Sequence, residues 1–269
     1  MVAEVTGLVI REIPLKESDK MLTVLTAESG KMTVYANGVR KYKNPNMNSS
    51  QLLCYSEFIL NKRGDKYWLK ESALIESFYD IRLDLNKSAL AQYFMDIVCD
   101  VCLEDEPEET MLRLTLNTLY MLIKGDRPDT HVKAVYELRT AANLGFLPDL
   151  VYCAKCGKYE TEFMYFNVMN AVLLCENCID ESSAVLNAED MESFAADKYG
   201  TSVIIKQLPL SVVKAMRHVV YSDPNRVFSF KLSDDNLYNI FSDVCESYLL
   251  NHIERGFKTL DFYKQLRNL

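Results

Sequence analysis

Four cysteines constrain this chain more than any other feature. They stand as Cys153-x2-Cys156 and Cys175-x2-Cys178, with 18 residues between the pairs. A two-residue spacer lets a short knuckle turn aim both sulfurs of a pair at one point. Gly157, directly after the first pair, supplies the backbone freedom such a knuckle often needs. The residues between the pairs include Phe163, Tyr165, Phe166, Val172 and Leu173, and they predict a hairpin over 162–174 that brings the pairs together. Four thiolates close a tetrahedral site and leave no position for water or substrate, so the site is structural, and the spacing lies within the range expected for zinc. The expectation is about one structural zinc ion per chain, held by Cys153, Cys156, Cys175 and Cys178. Unligated core cysteines are the bland alternative.

The other four cysteines are Cys54, Cys99, Cys102 and Cys245. Cys99-x2-Cys102 has the same spacing but lies near the end of a helical pattern, where residues three apart share a face. Free cysteine packs as a small hydrophobe, so this pair is expected in the core. A thiol redox site there is the alternative, and it would need a lowered thiol pKa. A disulfide framework is not expected, because a cytoplasmic location, the default in the absence of a secretory signal, keeps thiols reduced.

Around the quartet, two periodicities divide the chain. Residues 5–80 read as short strands: Val5–Ile13, Met21–Thr26, Met32–Ala36, Leu52–Asn61 and Lys66–Ser77. Ser29-Gly30-Lys31 and Arg63-Gly64-Asp65 mark turns, and the polar stretch Lys41–Ser50 is a loop. Five short antiparallel strands suit an oligonucleotide-binding barrel, with a small sandwich as the alternative. From Asp84 the apolar spacing becomes helical, through Leu90, Phe94, Ile97, Val98 and Cys102. A second helix runs through Met111, Leu112, Leu116, Leu119 and Ile123 to Gly125. A third is expected to be capped by Thr130 and to run to Gly145. Further helices are predicted near 188–198, 211–221 and 233–254. The fold class is α+β multidomain: an N-terminal barrel domain over 1–80, then a helical domain over 81–269 with the four-cysteine module inserted at about 151–180.

The chain carries 30 Lys/Arg and 38 Asp/Glu, a net charge of −8. Such acidity argues against uniform binding to phosphates, but residues 1–80 hold 11 Lys/Arg against 10 Asp/Glu. A DNA-binding face is therefore expected in the barrel. Arg40, Lys41 and Lys43, with Tyr42 among them, are the first candidates for phosphate contacts, followed by Arg11 and Lys31. Lys62, Arg63, Lys66 and Lys70, with Tyr67 and Trp68, offer a second basic and aromatic group. Barrels of this kind bind single strands by a basic groove and aromatic faces on which bases stack. Trp68 in the core, under a solvated charge face, is the alternative.

Several function classes lack their signatures. No run of 18 apolar residues is present for a membrane span. No glycine-rich phosphate cradle, H-E-x-x-H or G-x-S-x-G occurs. Glu108-Glu109 and Asp234-Asp235 read as helix starts that favour the dipole. No enzyme is expected.

The run from Gly7 to Lys31 (GLVIREIPLKESDKMLTVLTAESGK), followed by Ala36–Lys41 (ANGVRK), resembles the opening of the bacterial RecO family. Tyr136–Pro148 (YELRTAANLGFLP) and Cys153–Gly157 (CAKCG) are similar to that family's central helix and zinc module. The resemblance implies a recombination mediator that binds single- and double-stranded DNA and anneals complementary strands. It implies RecR and the single-strand-binding protein SSB as partners in loading RecA, with the acidic SSB tail captured on the helical domain. In the helix 130–145, Lys133 and Arg139 point to different sides, being six residues apart at 100° per residue. Arg139 is the candidate for the tail, because a guanidinium holds a carboxylate bidentately. A zinc-ribbon adaptor that binds proteins and does not anneal DNA is the competing function.

Overall fold

The computed structural model describes residues 2–179, 185–186, 195–196 and 202–267. The first strands are β1 (Val2–Pro14), β2 (Lys20–Thr26), β3 (Gly30–Ala36), β4 (Cys54–Arg63) and β5 (Lys66–Ser77). They close a barrel in the order β1-β2-β3-β5-β4. All pairs are antiparallel except β3 with β5, where Val34 meets Tyr67 and Tyr35 meets Trp68 in parallel. This is the partly Greek-key closure of an oligonucleotide-binding barrel, and closure removes exposed edges.

Period-two burial explains why these segments are strands. In β3, Met32, Val34 and Ala36 are buried while Lys31, Thr33 and Tyr35 are half-buried. The inward set joins Val9, Leu22, Val24, Phe58 and Leu60 in the barrel core. The β2–β3 turn rests on Gly30, at φ +57°; a Cβ there would stand 2.3 Å from the Leu103 carbonyl oxygen. Glycine is required by both the left-handed backbone and the close approach. The segment after the next helix crosses that turn through three backbone hydrogen bonds: Lys31 N to Leu103 O at 2.9 Å, Asp105 N to Ser29 O at 3.1 Å and Glu108 N to Ala27 O at 2.8 Å.

A 3-10 turn at Tyr79–Leu83 leads to α1 (Leu85–Val101), whose Asp84 cap accepts from Lys87 N. Then come α2 (Glu109–Lys124), ended by Gly125 at φ 65°, and α3 (Asp129–Asn143). The four-cysteine region follows with β6 (Asp149–Cys153), β7 (Phe163–Asn167) and β8 (Val172–Cys175), then β9 (Val185–Leu186), β10 (Ala195–Ala196), β11 (Ser202–Val203) and β12 (Ile205–Pro209). The chain ends in α4 (Leu210–Tyr221), α5 (Asp235–Ile253) and α6 (Lys258–Arg267). β6-β8-β7-β12-β9 form one sheet.

The molecule divides into two compact units. One holds the chain up to Gly125 together with the segment from Phe257 onward; the other is Asp126–Gly256. In the first, α6 returns to α1: the Phe257 ring meets Tyr93 edge-on at 5.5 Å, and Thr259 Oγ1 donates to Asp96 at 2.8 Å. In the second, α3 is the central helix, with Val132, Lys133, Val135, Tyr136, Glu137 and Leu138 all buried.

Three expectations need amendment. The helix read near 188–198 lies mostly outside the described residues, and within that span Ala195–Ala196 is a strand paired with Ser202–Val203. Thr130 is not a cap: Pro128 holds that position, and Thr130 is buried in the first turn. Proline fits a helix start because it lacks the N–H that would go unpaired there. The C-terminal α6 and the strand β12 were not foreseen.

His131, in the first turn of α3, is fully buried, and neither ring nitrogen has a hydrogen-bond partner. Its imidazole sits among Phe230 at 4.6 Å, Tyr238 at 5.6 Å and Phe241 at 6.4 Å. Burial, reinforced by the Arg127 charge, lowers its pKa to about 4. The unfolded chain therefore takes up a proton that the folded one refuses as pH falls below about 6.5. Stability should be flat above neutrality for this group, fall between pH 6.5 and 4, and lose about 3 kcal/mol in all. Denaturant melts across this range should show that loss shrinking in His131→Phe; an identical pH profile in the variant would contradict the assignment.

Candidate metal centre and nucleic-acid face

The hairpin β7–β8 delivers the second cysteine pair to the first. Met164 pairs with Cys175 and Phe166 with Leu173, with the turn at 168–171. β8 also runs alongside β6, so Leu173 lies beside Cys153, and Ala154 N donates to Leu173 O at 2.8 Å. Each pair then closes as a knuckle. Gly157 N donates to Cys153 O at 2.9 Å, with Gly157 at φ +72°, and Cys178 N donates to Cys175 O at 2.9 Å. Expectation and structure agree on this hairpin and on both knuckles.

The four Sγ atoms lie within 4.8 Å of one another, with Cys156 and Cys175 at 3.6 Å. A tetrahedral site with Zn–S bonds of ~2.3 Å places its sulfurs about 3.8 Å apart, so these residues fit the ion. Cys153 and Cys175 are buried, Cys178 half-buried and Cys156 exposed. The peptide groups prepare the site for negative sulfur: Cys175 N donates to Cys153 Sγ at 3.3 Å. Burial raises the Cys153 thiol, but N–H groups of Cys156, Cys175 and Lys155 more than offset this and hold it at about 6. Cys178, bonded to the sulfurs of Cys156 and Cys175, is pushed up to about 12. Four sulfurs this close cannot all ionise without a cation among them. The donor set therefore suits a soft divalent ion.

In the barrel, Tyr35 and Trp68 occupy paired positions on β3 and β5, and their rings stack at 4.9 Å with a 30° interplanar angle. Period two puts Tyr35 on the side away from the buried Val34. Lys66 lies over the Tyr35 ring at 5.5 Å and Lys62 over Tyr67 at 5.1 Å. Trp68 is half-buried and outside the core cluster, whereas Tyr67 packs partly against it. The loop after β3 carries Arg40, Lys41, Tyr42 and Lys43, all exposed, with Tyr42 88% accessible. Lys43 has φ 68° and lies over the Tyr42 ring at 5.5 Å. The aromatic Tyr35 escaped the sequence reading, although the alternation Met32, Val34, Ala36 already set it on the outer face.

The recombination protein O N-terminal family model matches residues 1–78, and the C-terminal model matches 82–196. The DNA repair protein RecO of Acetivibrio thermocellus is 34% identical over 261 residues, covering 97% of this chain and 96% of that protein. The chain belongs to the RecO family. The DNA repair protein RecO of Caldicellulosiruptor saccharolyticus is 29% identical over 97% of both chains, and that of Alkaliphilus metalliredigens 24% over 99% and 100%.

Other candidate residues have definite places in this family member. Arg11 is exposed at the β1 bulge. Lys31 is half-buried, and its ammonium donates to the Cys99 carbonyl in the last turn of α1. There it meets the partial negative charge of a helix C-terminus. Lys133 is buried, bound to Glu137 and Glu246. Arg139 Nη1 donates to the carbonyls of Val219 and Val220 at 3.1 and 3.0 Å. Cys99 and Cys102 sit at the end of α1. Burial raises both thiols, Cys102 to about 12, the reverse of what a redox thiol needs.

Metal analysis of freshly purified protein should find about one zinc per chain. Cys175→Ser should lose it, and the Cys99→Ala, Cys102→Ala pair should keep it. Metal-free parent protein, or loss in the Cys99/Cys102 variant, would overturn this ligand set.

Proposed function

We propose that the chain binds DNA through its barrel and anneals complementary strands as a non-enzymatic recombination mediator, with zinc as a structural ion. The observation that carries this reading is the Tyr35–Trp68 stack with Lys66 over the Tyr35 ring. Stacked aromatics offer a π-face that any base can meet, and an ammonium group beside them attracts the phosphates. Arg40, Lys41 and Lys43 extend the positive charge along the adjoining loop, and Arg11 and Lys31 are assigned to the outer reach of the DNA path. Annealing needs no bond chemistry. The protein screens the repulsion between two strands and leaves their base edges free to pair.

RecR, RecA and SSB are proposed as partners on the strength of family membership. The acidic tail of SSB is assigned to the helical unit at Arg139. A guanidinium already fixed by the α4 carbonyls is pre-oriented, and it has five N–H donors in all. Arg139→Ala should weaken binding of an SSB C-terminal peptide in fluorescence polarisation and leave naked-DNA binding intact. Equal peptide affinity would remove Arg139 from the surface.

Reversing the charges of Arg40, Lys41 and Lys43 should weaken DNA binding alike for all sequences. Each lost phosphate contact should lower the slope of log affinity against log salt by about one unit. Trp68→Ala should weaken single-strand binding about tenfold and slow annealing of complementary oligonucleotides. An unchanged salt slope in the first variant together with parental single-strand affinity in the second would place the DNA elsewhere.

A further inference from the structure

The four sulfurs are only as well placed as the strand and loop on either side of the first knuckle. β6 enters Cys153, and the segment 157–160 leaves Cys156. The β6–β8 pairing is irregular, with a register shift between Asp149 and Cys153, and one backbone bond, from Cys153 N to Lys158 O at 2.8 Å, joins the strand to the loop. The carbonyls of Leu150, Val151 and Tyr159 find their donors on a neighbouring helix.

Those donors come from one face of α4. Arg217 Nε donates to Leu150 O, and its Nη2 donates to Val151 O at 2.9 Å and to Tyr159 O at 3.3 Å. Its Nη1 meets the Glu160 carboxylate at 2.8 Å, and the guanidinium lies 4.8 Å from the centre of the Tyr159 ring. One side chain thus ties the strand before the knuckle to the loop after it. Four residues further along the helix, Tyr221 Oη accepts from Leu150 N at 3.3 Å and donates to Pro148 O at 3.1 Å. Lys214, three residues before Arg217, reaches Glu160 at 3.4 Å from a more exposed position. Spacings of three and four put Lys214, Arg217 and Tyr221 on one helical stripe.

We propose that Arg217 is a positioning residue of the metal centre: its planar fork fixes the two flanks of the Cys153–Cys156 knuckle so that both sulfurs face the second pair. Lysine cannot replace it. An ammonium has three donors at a single point and no plane to lay on Tyr159, whereas the arginine serves three carbonyls and a carboxylate set apart from one another. Groups that orient metal ligands without touching the ion commonly change affinity by about 10–100-fold. The proposal rests on the reading that the four cysteines hold zinc.

The test is zinc release from the full-length protein into a chromophoric chelator, with the tetrahedral absorption bands of the cobalt-substituted protein as a second readout. Arg217→Ala and Arg217→Lys should both release zinc about tenfold faster than the parent and shift or broaden the cobalt bands. Lys214→Ala, which removes only the exposed pair to Glu160, should change release less than twofold. Far-UV circular dichroism melts establish that each variant is folded. Should Arg217→Ala fail to fold, Arg217→Lys decides, because it keeps the stem and the charge. Parental release rates and cobalt spectra in a folded Arg217 variant would overturn this role and leave the zinc reading intact. A parent that holds no metal would overturn both.

Discussion

A single ammonium group, that of Lys133, is the fixed point of the helical unit. It is almost wholly shielded from water and lies 2.9 Å from Glu137 and 2.8 Å from Glu246, with Ser242 Oγ at 3.3 Å. A charge buried this way is tolerable only with carboxylates in contact, and these lift its pKa to about 12 against the opposing pull of desolvation. Glu137 stands one turn along on α3, while Glu246 belongs to α5. The charge thus specifies which turn of α5 faces which turn of α3, something apolar packing alone would fix less sharply. Removing one partner from such a cluster typically costs ~3–5 kcal/mol, because the remaining charge stays stranded.

From that point the architecture propagates through two more cations. Arg139, further along α3, takes the carbonyls that end α4. Arg217, on α4, takes the carbonyls flanking the first cysteine knuckle. Each joint has the same logic: backbone oxygens left over where regular structure stops are collected by a side chain from the next element. The four-cysteine module is thereby set on the helical unit by these polar contacts together with apolar packing, the Phe166 ring lying 5.5 Å from that of Tyr248 of α5, whereas the barrel is set by its apolar interior and its hydrogen-bonded closure.

The sequence was most readable where one pattern governed. Alternation in β3 and the helical period of α1 and α2 follow directly from burial on one face. The cysteine spacing predicted the hairpin and both knuckles, because few backbones satisfy two such pairs at once. Residues whose fate depends on distant partners were hidden. Nothing local tells that Lys133 is buried, since Glu246 lies more than a hundred positions away. Helix α6 carries only Leu260 and Tyr263 as fully buried residues, too few to register as a periodic face. The stack of Tyr35 on Trp68 needed the parallel closure of β3 on β5, which no short-range signal encodes.

The return of α6 to α1 has a consequence for the order of synthesis. The helix that covers Tyr93 and Asp96 begins at Lys258, after the whole second unit has been made. At ~5–20 residues per second, the partner of α1 emerges roughly 10–30 s after α1 itself. During that interval the barrel can close, but the part of α1 around Tyr93 and Asp96 that the C-terminal segment later covers stays open. The first unit to be translated is thus the last to be completed. Nascent chains stalled inside the second unit would expose the surface that Phe257, Leu260 and Tyr263 later bury.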